Sequence, residues 1–247
     1  MSYLEDYPVT RSSVAVSLWP AVPARVRPAG RPPVAPQAIR AVPGEPLPSA
    51  RSVVAVIARP GQESADLGAV LYAFGRRGAR VALLCLTRGE ASSLNATCQP
   101  LEAVRPWELQ VAAGLLGISS VRVSDYPDGG LSLAPVPDLT ERVRSVIREH
   151  APDLLLVIDP VVTGDADDAR VAKAACLAAG PAGLPVAART APGARGGWPF
   201  ALGADAAVGR AIQLSAVAAH ASQSEALPRL RRHLDMQMGP ERLRWLC

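Results

Sequence analysis

The sequence predicts an α/β fold, a Rossmann-like three-layer α/β/α arrangement around a mostly parallel sheet, on three observations. Runs such as Val53–Ile57, Val81–Leu86 and Leu154–Ile158 are continuously apolar, as strands buried on both faces are, whereas a sheet with one wet face alternates. Helical periodicity fills the segments between them, and two of these segments are closed by glycine, Gly78 and Gly117. Strand and helix then alternate repeatedly between residues 52 and 179, the pattern of crossovers joining parallel strands. The 247 residues are 49% hydrophobic but only 4% aromatic, so the core is expected to be built from Ala, Val and Leu.

In chain order, residues 1–51 form a Pro-rich arm in which only Val14–Trp19 could make an edge strand. Residues 52–225 form the α/β domain. Its expected elements are a strand at Val53–Ile57, a helix at Asp66–Arg77, a strand at Val81–Leu86 and a helix at Leu101–Leu116. A short strand at Val121–Val123, a helix at Leu139–His150, a strand at Leu154–Ile158 and a helix at Ala169–Ala179 follow. Residues 181–209 read as Gly/Pro-rich loop and Ala211–Ala221 as one more helix. Residues 226–247 read as a basic helical tail, with Leu227, Leu230 and Leu234 at helical spacing beneath Arg229, Arg231, Arg232, Arg242 and Arg244.

Composition excludes several function classes. Of the 26 basic residues only Lys173 is lysine, and it follows Ala172, so no Walker phosphate loop or kinase lysine motif exists. The arginine bias resembles GC-rich, actinobacterial coding usage and identifies no partner. Net charge is a modest +4, and the basic tail reads as a solvated helix face, so no nucleic-acid partner is expected. No run approaches the roughly 20 apolar residues of a membrane helix, and no signal peptide is apparent, so a cytoplasmic protein without membrane contact is expected. Cysteines 85, 98, 176 and 247 form no C-x-x-C; Cys85, in an apolar run, reads as a small buried hydrophobe.

In open α/β sheets, ligands bind beyond the C-terminal ends of the strands. Those ends read Ala58-Arg-Pro-Gly-Gln-Glu63, Thr87-Arg-Gly-Glu90, Tyr126-Pro-Asp-Gly129 and Gly164-Asp-Ala-Asp-Asp168. Arg105-x-x-Glu108 opens a helix, and His220-Ala-Ser-Gln223 ends the last one. This series resembles the LmbE-like, or GlcNAc-phosphatidylinositol de-N-acetylase (PIG-L), family over roughly residues 52–225. Family members read A-H-P-D-D-E, T-x-G-E, R-x-x-E, Y-x-D-G, G-H-P-D-H and H-x-S-Q at these places.

The resemblance implies zinc-assisted amide hydrolysis: two His and an Asp hold the metal, an Asp is general base for a metal-bound water, and a further His assists. Here the two decisive motifs differ. The zinc-ligand positions fall on Arg59, Gln62 and Asp168, the general base on Gly61 and the helper His on Asp165; Glu63 and Asp167 keep the family identity. Arg cannot ligate a cation, Gly cannot take a proton, and Gln is a poor zinc donor. A guanidinium ~4 Å from a dication is repelled by about 8 kcal/mol at an effective dielectric of 20, which opposes zinc by about six decades. No cofactor is therefore expected, although zinc is expected for the family.

The expected ligand-binding set is Arg59, Arg105, Tyr126, Asp128, Asp168 and His220, with Arg59 replacing the metal's positive charge and paired to Asp168. His220 is either an acid–base group beside Asp128 or a helix-end histidine holding a loop. Three readings stay open: an inactive or non-zinc homologue binding a sugar-like or natural-product molecule, an active N-deacetylase with a rearranged acidic metal site, and a protein-interaction scaffold. In the last, the N-terminal arm would contact a protein partner or a second copy.

Overall fold

Strand β1 (Ser52–Ile57) is apolar throughout because both its faces are covered, and Val53, Val54, Ala55 and Val56 have no exposure. A Gly61 turn leads into the short helix α1 (Gln62–Ala65), then α2 (Gly68–Arg76), strand β2 (Arg80–Thr87) and helix α3 (Leu101–Leu116). Strand β3 (Ser120–Tyr126), helix α4 (Val136–His150), strand β4 (Leu154–Ile158), helix α5 (Pro160–Thr163) and helix α6 (Ala166–Ala179) come next. Strands β5 (Val186–Thr190) and β6 (Trp198–Phe200), helix α7 (Ala206–Ala218) and strand β7 (Glu241–Trp245) complete the order. The computed structural model describes residues 47–190, 198–200, 206–226 and 241–247, all within one unit, Ala35–Cys247. The edge strand expected at Val14–Trp19, and Arg229, Arg231 and Arg232 of the tail, lie outside the described residues.

The seven strands form one sheet in the order β3-β2-β1-β4-β5-β7-β6. β1 pairs in parallel with β2 (Val53↔Val81) and β4 (Val53↔Leu154), and β3 and β5 extend this parallel set. One face packs Val53, Ala55 and Ile57 against Leu71, Phe74, Leu109, Leu116 and Ala216. The other packs Val54 and Val56 against Leu139, Val143, Val171 and Ala175. The expected three-layer α/β/α fold is therefore present. The chain runs outward on one side of β1 and resumes on the other at β4, so the strand order reverses there, where such sheets open a ligand crevice.

Three expectations need correction, and one bond was not anticipated. The helix expected over Asp66–Arg77 starts only at Gly68, and a separate short helix, α1, precedes it; Gln213 of α7 donates to the Ser64 and Ala65 carbonyls where the two part. The loop over 181–209 contains β5 and β6. The tail over 226–247 is not helical at Glu241–Trp245, which runs antiparallel between β5 and β6 with Leu243 wholly buried. Its Glu-Arg-Leu-Arg-Trp alternation is the period of a strand. Finally, Cys176 and Cys247 form a disulfide, Cα atoms 6.0 Å apart, that joins the residues after β7 to α6. Cys85 is buried as expected, and burial, its largest influence, pushes its thiol pKa up. Among the described residues no helix is long and apolar enough to cross a membrane.

Candidate functional site

The loop after β1 is shaped by Gly61 and Gln62. Gly61 takes φ 100°, a left-handed conformation that glycine adopts without strain. The Gln62 side-chain carbonyl accepts from the backbone N–H groups of Ala58 (2.9 Å) and Arg59 (3.1 Å), and its amide donates to Asp168 Oδ1 at 2.8 Å. This fixes the loop and leaves the Arg59 side chain to reach across the crevice.

Arg59 meets carboxylates from two other strand ends. Its Nη1 donates to Asp165 Oδ2 at 3.0 Å, Nη2 to Asp167 Oδ2 at 3.4 Å, and Nε lies 3.1 Å from Asp128 Oδ1. Each acid is itself anchored. Asp165 caps α6 by accepting from the N–H groups of Asp167 (2.8 Å) and Asp168 (3.3 Å), Asp167 accepts from Ser132 N at 2.9 Å, and Asp128 Oδ2 accepts from Ala91 N at 3.2 Å. Burial opposes the charge on Arg59, but Asp165 and Asp128 outweigh it and hold the guanidinium pKa above its ordinary value. Burial likewise pushes Asp165 up, yet its capping bonds and Arg59 bring it below the usual carboxylate range.

The expected Arg59–Asp168 pair is therefore replaced. Asp168 is taken by Gln62, and Arg59 bonds Asp165 and Asp167 and faces Asp128. The backbone bonds of Gln62 orient its amide onto Asp168, so the guanidinium turns to the N-cap acid one helical turn earlier. Burial is the largest influence on Asp168 and raises its pKa.

His220 is not beside Asp128 in any bonded sense. It is buried, with Nε2 2.6 Å from Glu63 Oε1 and Nδ1 3.9 Å from Glu108 Oε2. Glu63 also accepts from Gly61 N (2.7 Å), and Glu108 accepts from Ser222 N and Oγ, both at 2.6 Å. Burial would raise the Glu63 pKa, but His220 and the surrounding donors lower it overall. The imidazole thus braces the segment after α7 against α1 and α3. Arg105 is likewise a brace: buried on α3, it donates to the carbonyls of Gly89 (2.5 Å) and Pro60 (2.6 Å), tying the loops after β2 and β1. Tyr126 is half-buried and packs on the α4–α6 side of the sheet.

Sequence reasoning missed two ion pairs beyond β4 and β5. Arg244 makes a two-pronged contact with Asp159 at 3.0 and 2.6 Å, and Arg189 donates to Glu241 at 3.0 Å. Both depend on β7 entering the sheet; the alternating pattern of residues 241–245 was the available signal.

The positions that would hold zinc do not fit it. Arg59 has no lone pair to give, the Gln62 oxygen already accepts two backbone N–H groups, and the Asp168 oxygen nearest Gln62 receives its amide. Among the described residues no group of three or more His, Cys, Asp or Glu is placed to hold a metal ion. What the cluster offers is a fixed cation flanked by carboxylates at the crevice.

The family model described as GlcNAc-PI de-N-acetylase, PIG-L, matches residues 54–179, half of the chain. The chain belongs to the PIG-L family. A probable N-acetyl-alpha-D-glucosaminyl L-malate deacetylase 2 of Bacillus anthracis is 29% identical to this PIG-L protein over 115 residues, 44% of this chain and 51% of that one. The chain thus matches about half the length of that curated relative. The N,N'-diacetylchitobiose deacetylase from Pyrococcus horikoshii, solved with an inhibitor, superposes with a TM-score of 0.62 at 17% identity, covering 81% of this chain and 85% of the other. A deacetylase of the teicoplanin biosynthesis pathway superposes with a TM-score of 0.62 at 16% identity over 78% and 96% of the two chains. These two likenesses establish the PIG-L fold and leave the chemistry to the site.

Proposed function

We propose that this protein is a PIG-L member that works without zinc, binding a small sugar-like or natural-product molecule at the Arg59 crevice and hydrolysing no amide. The supporting observation is the placement of Arg59: a guanidinium on the first family motif, bonded to Asp165 and Asp167 and facing Asp128. It supplies one positive charge where the family places a dication, and no acid–base side chain stands at Gly61 to activate water. Guanidinium and carboxylate edges together offer donors and acceptors for hydroxyl and amide groups of a polar ligand. A relative named as a probable N-acetyl-alpha-D-glucosaminyl L-malate deacetylase and a neighbour named as a deacetylase of the teicoplanin biosynthesis pathway make N-acyl sugars and their deacetylated forms the first ligands to try.

The second reading, an active hydrolase with an acidic metal site, draws on the three carboxylates around the Arg59 guanidinium, Asp128, Asp165 and Asp167, which as placed form no metal-holding group and would have to close on a hard cation once Arg59 withdrew. Elemental analysis of protein purified without chelators separates the two. Less than about a tenth of an equivalent of metal, together with calorimetric binding of an amino sugar that Arg59→Met abolishes, is the expected result. Stoichiometric zinc with acetate release from N-acetylglucosamine conjugates would overturn it.

A further inference from the structure

We infer that the Cys176–Cys247 bridge is a thiol-exchange site, and that opening it loosens the Arg59 crevice through β7. This control is independent of what the crevice binds, because it lies in how β7 is held. Cys247 is exposed and Cys176 half-buried, so the Cys247 end of the bridge is open to an attacking thiol.

β7 is pinned differently at its two ends. At the first, Glu241 is buried between Arg189 of β5, at 3.0 Å, and Arg210 of α7. At the other, Arg244 reaches Asp159 at 3.0 and 2.6 Å, and Leu246 N donates to the Val186 carbonyl at 2.9 Å. Val186 N in turn donates to the Cys247 carbonyl at 3.2 Å, and the bridge closes this end onto α6. Asp159 is the junction with the crevice. It follows β4, is buried, and caps α5 by accepting from Val161 N at 3.1 Å. α5 then delivers Gly164 and Asp165, the carboxylate that accepts from Arg59 Nη1. Burial pushes the Asp159 pKa up, but Arg244 and the Val161 N–H hold it below the usual carboxylate range. Removing Arg244 therefore leaves a buried charge without the cation that offsets its burial. The bridge also reaches the crevice from behind, since Cys176 lies about 16 Å along α6 from its N-cap, Asp165.

Reduction needs a dithiol. One thiolate attacks Cys247 Sγ, and the S–S bond breaks with Cys176 leaving as a thiolate that takes a proton. The second thiol then attacks the mixed disulfide, closes the reductant's own S–S bond and releases Cys247 as a thiol. Two electrons and two protons pass to the protein. Residues 244–247 then lose their covalent hold and open locally, while the Glu241 end and the core stay closed.

Carboxyl-carbon NMR of Asp159 in the folded full chain tests this, with circular dichroism checking the fold and alkylation of Cys176 and Cys247 reporting the bridge. Dithiothreitol is expected to open the bridge without unfolding and to raise the proton affinity of Asp159 at least threefold. The amide resonances of Val161, Asp167 and Asp168 should shift with it. Cys176→Ser should show the same state without reductant, and Arg244→Met should raise the Asp159 proton affinity with the bridge intact. A bridge that dithiothreitol cannot open in the folded protein overturns the inference, as does a chain that unfolds when it opens. So does an Asp159 titration that reduction leaves unchanged, or crevice amides that stay in place while Asp159 moves.

Discussion

At Arg59 one side chain holds together acids from two other strand ends, and its removal should be legible in both stability and pH response. In Arg59→Met, Asp128, Asp165 and Asp167 face one another unneutralised, and a loss of about 1–3 kcal/mol at pH 7 is expected by urea denaturation. The pH dependence should invert. In the wild type the lowered Asp165 pKa contributes stability above 3.8, lost as pH falls through the folded value. In the variant, repelling carboxylates bind protons more readily folded than unfolded, so stability should rise as pH falls from 7 towards 4. Asp66 gives a second test, because burial, only partly countered by Arg189, pushes it up to about 6. That carboxyl favours folding below its unfolded value of 3.8, and the contribution fades as pH rises through 6. Asp66→Asn should therefore raise the melting temperature at pH 7 and leave it nearly unchanged at pH 4. The sequence placed Arg59 in the crevice and gave it a carboxylate partner. It could not say which of four nearby aspartates would serve, because that was decided by the bonds of a neighbouring glutamine.

Among elements, the break between α1 and α2 depends on how closely α7 approaches. A Cβ at Gly68 would lie 2.9 Å from Gln213 Cγ, the side chain that caps the end of α1. Gly68→Ala should cost about 1–3 kcal/mol by overpacking, measured by chemical denaturation. Adding Gln213→Ala should recover part of that loss, a coupling that independent sites would not show. The strands and helices of the parallel half were readable because each carries its own period, from the buried run of β1 to the glycine stop after α3. The far side of the sheet, from the last parallel strand outward, was not. β5 is five residues of Val-Ala-Ala-Arg-Thr, and β7 presents arginines that read as a helix face until strand neighbours on both sides give their alternation a meaning. The brace made by His220 was equally hidden, since the two glutamates that it contacts lie more than a hundred residues away in sequence.

For the molecule as a whole, the Cys176–Cys247 bridge closes a long loop that includes β5, β6, α7 and β7. In the chain-entropy account, closing a loop across a sequence separation of 71 stabilises the fold by about 4.4 kcal/mol. Dithiothreitol should accordingly lower the denaturation midpoint of the wild type and have no effect on Cys176→Ser, which begins at the reduced value. The sheet order has a further result for assembly. Strand β6 reaches the sheet through β7, which lies between it and β5, yet β7 is synthesised after β6 and α7. The five parallel strands can close around β1 as soon as β5 has been made, with the Arg59 crevice already bounded by the ends of β1, β3 and β4. Strand β6 must wait, its hydrogen-bonding edge unpaired, until residues 241–245 arrive. A growing chain therefore has a period in which its crevice is built and its sheet is still open at one end.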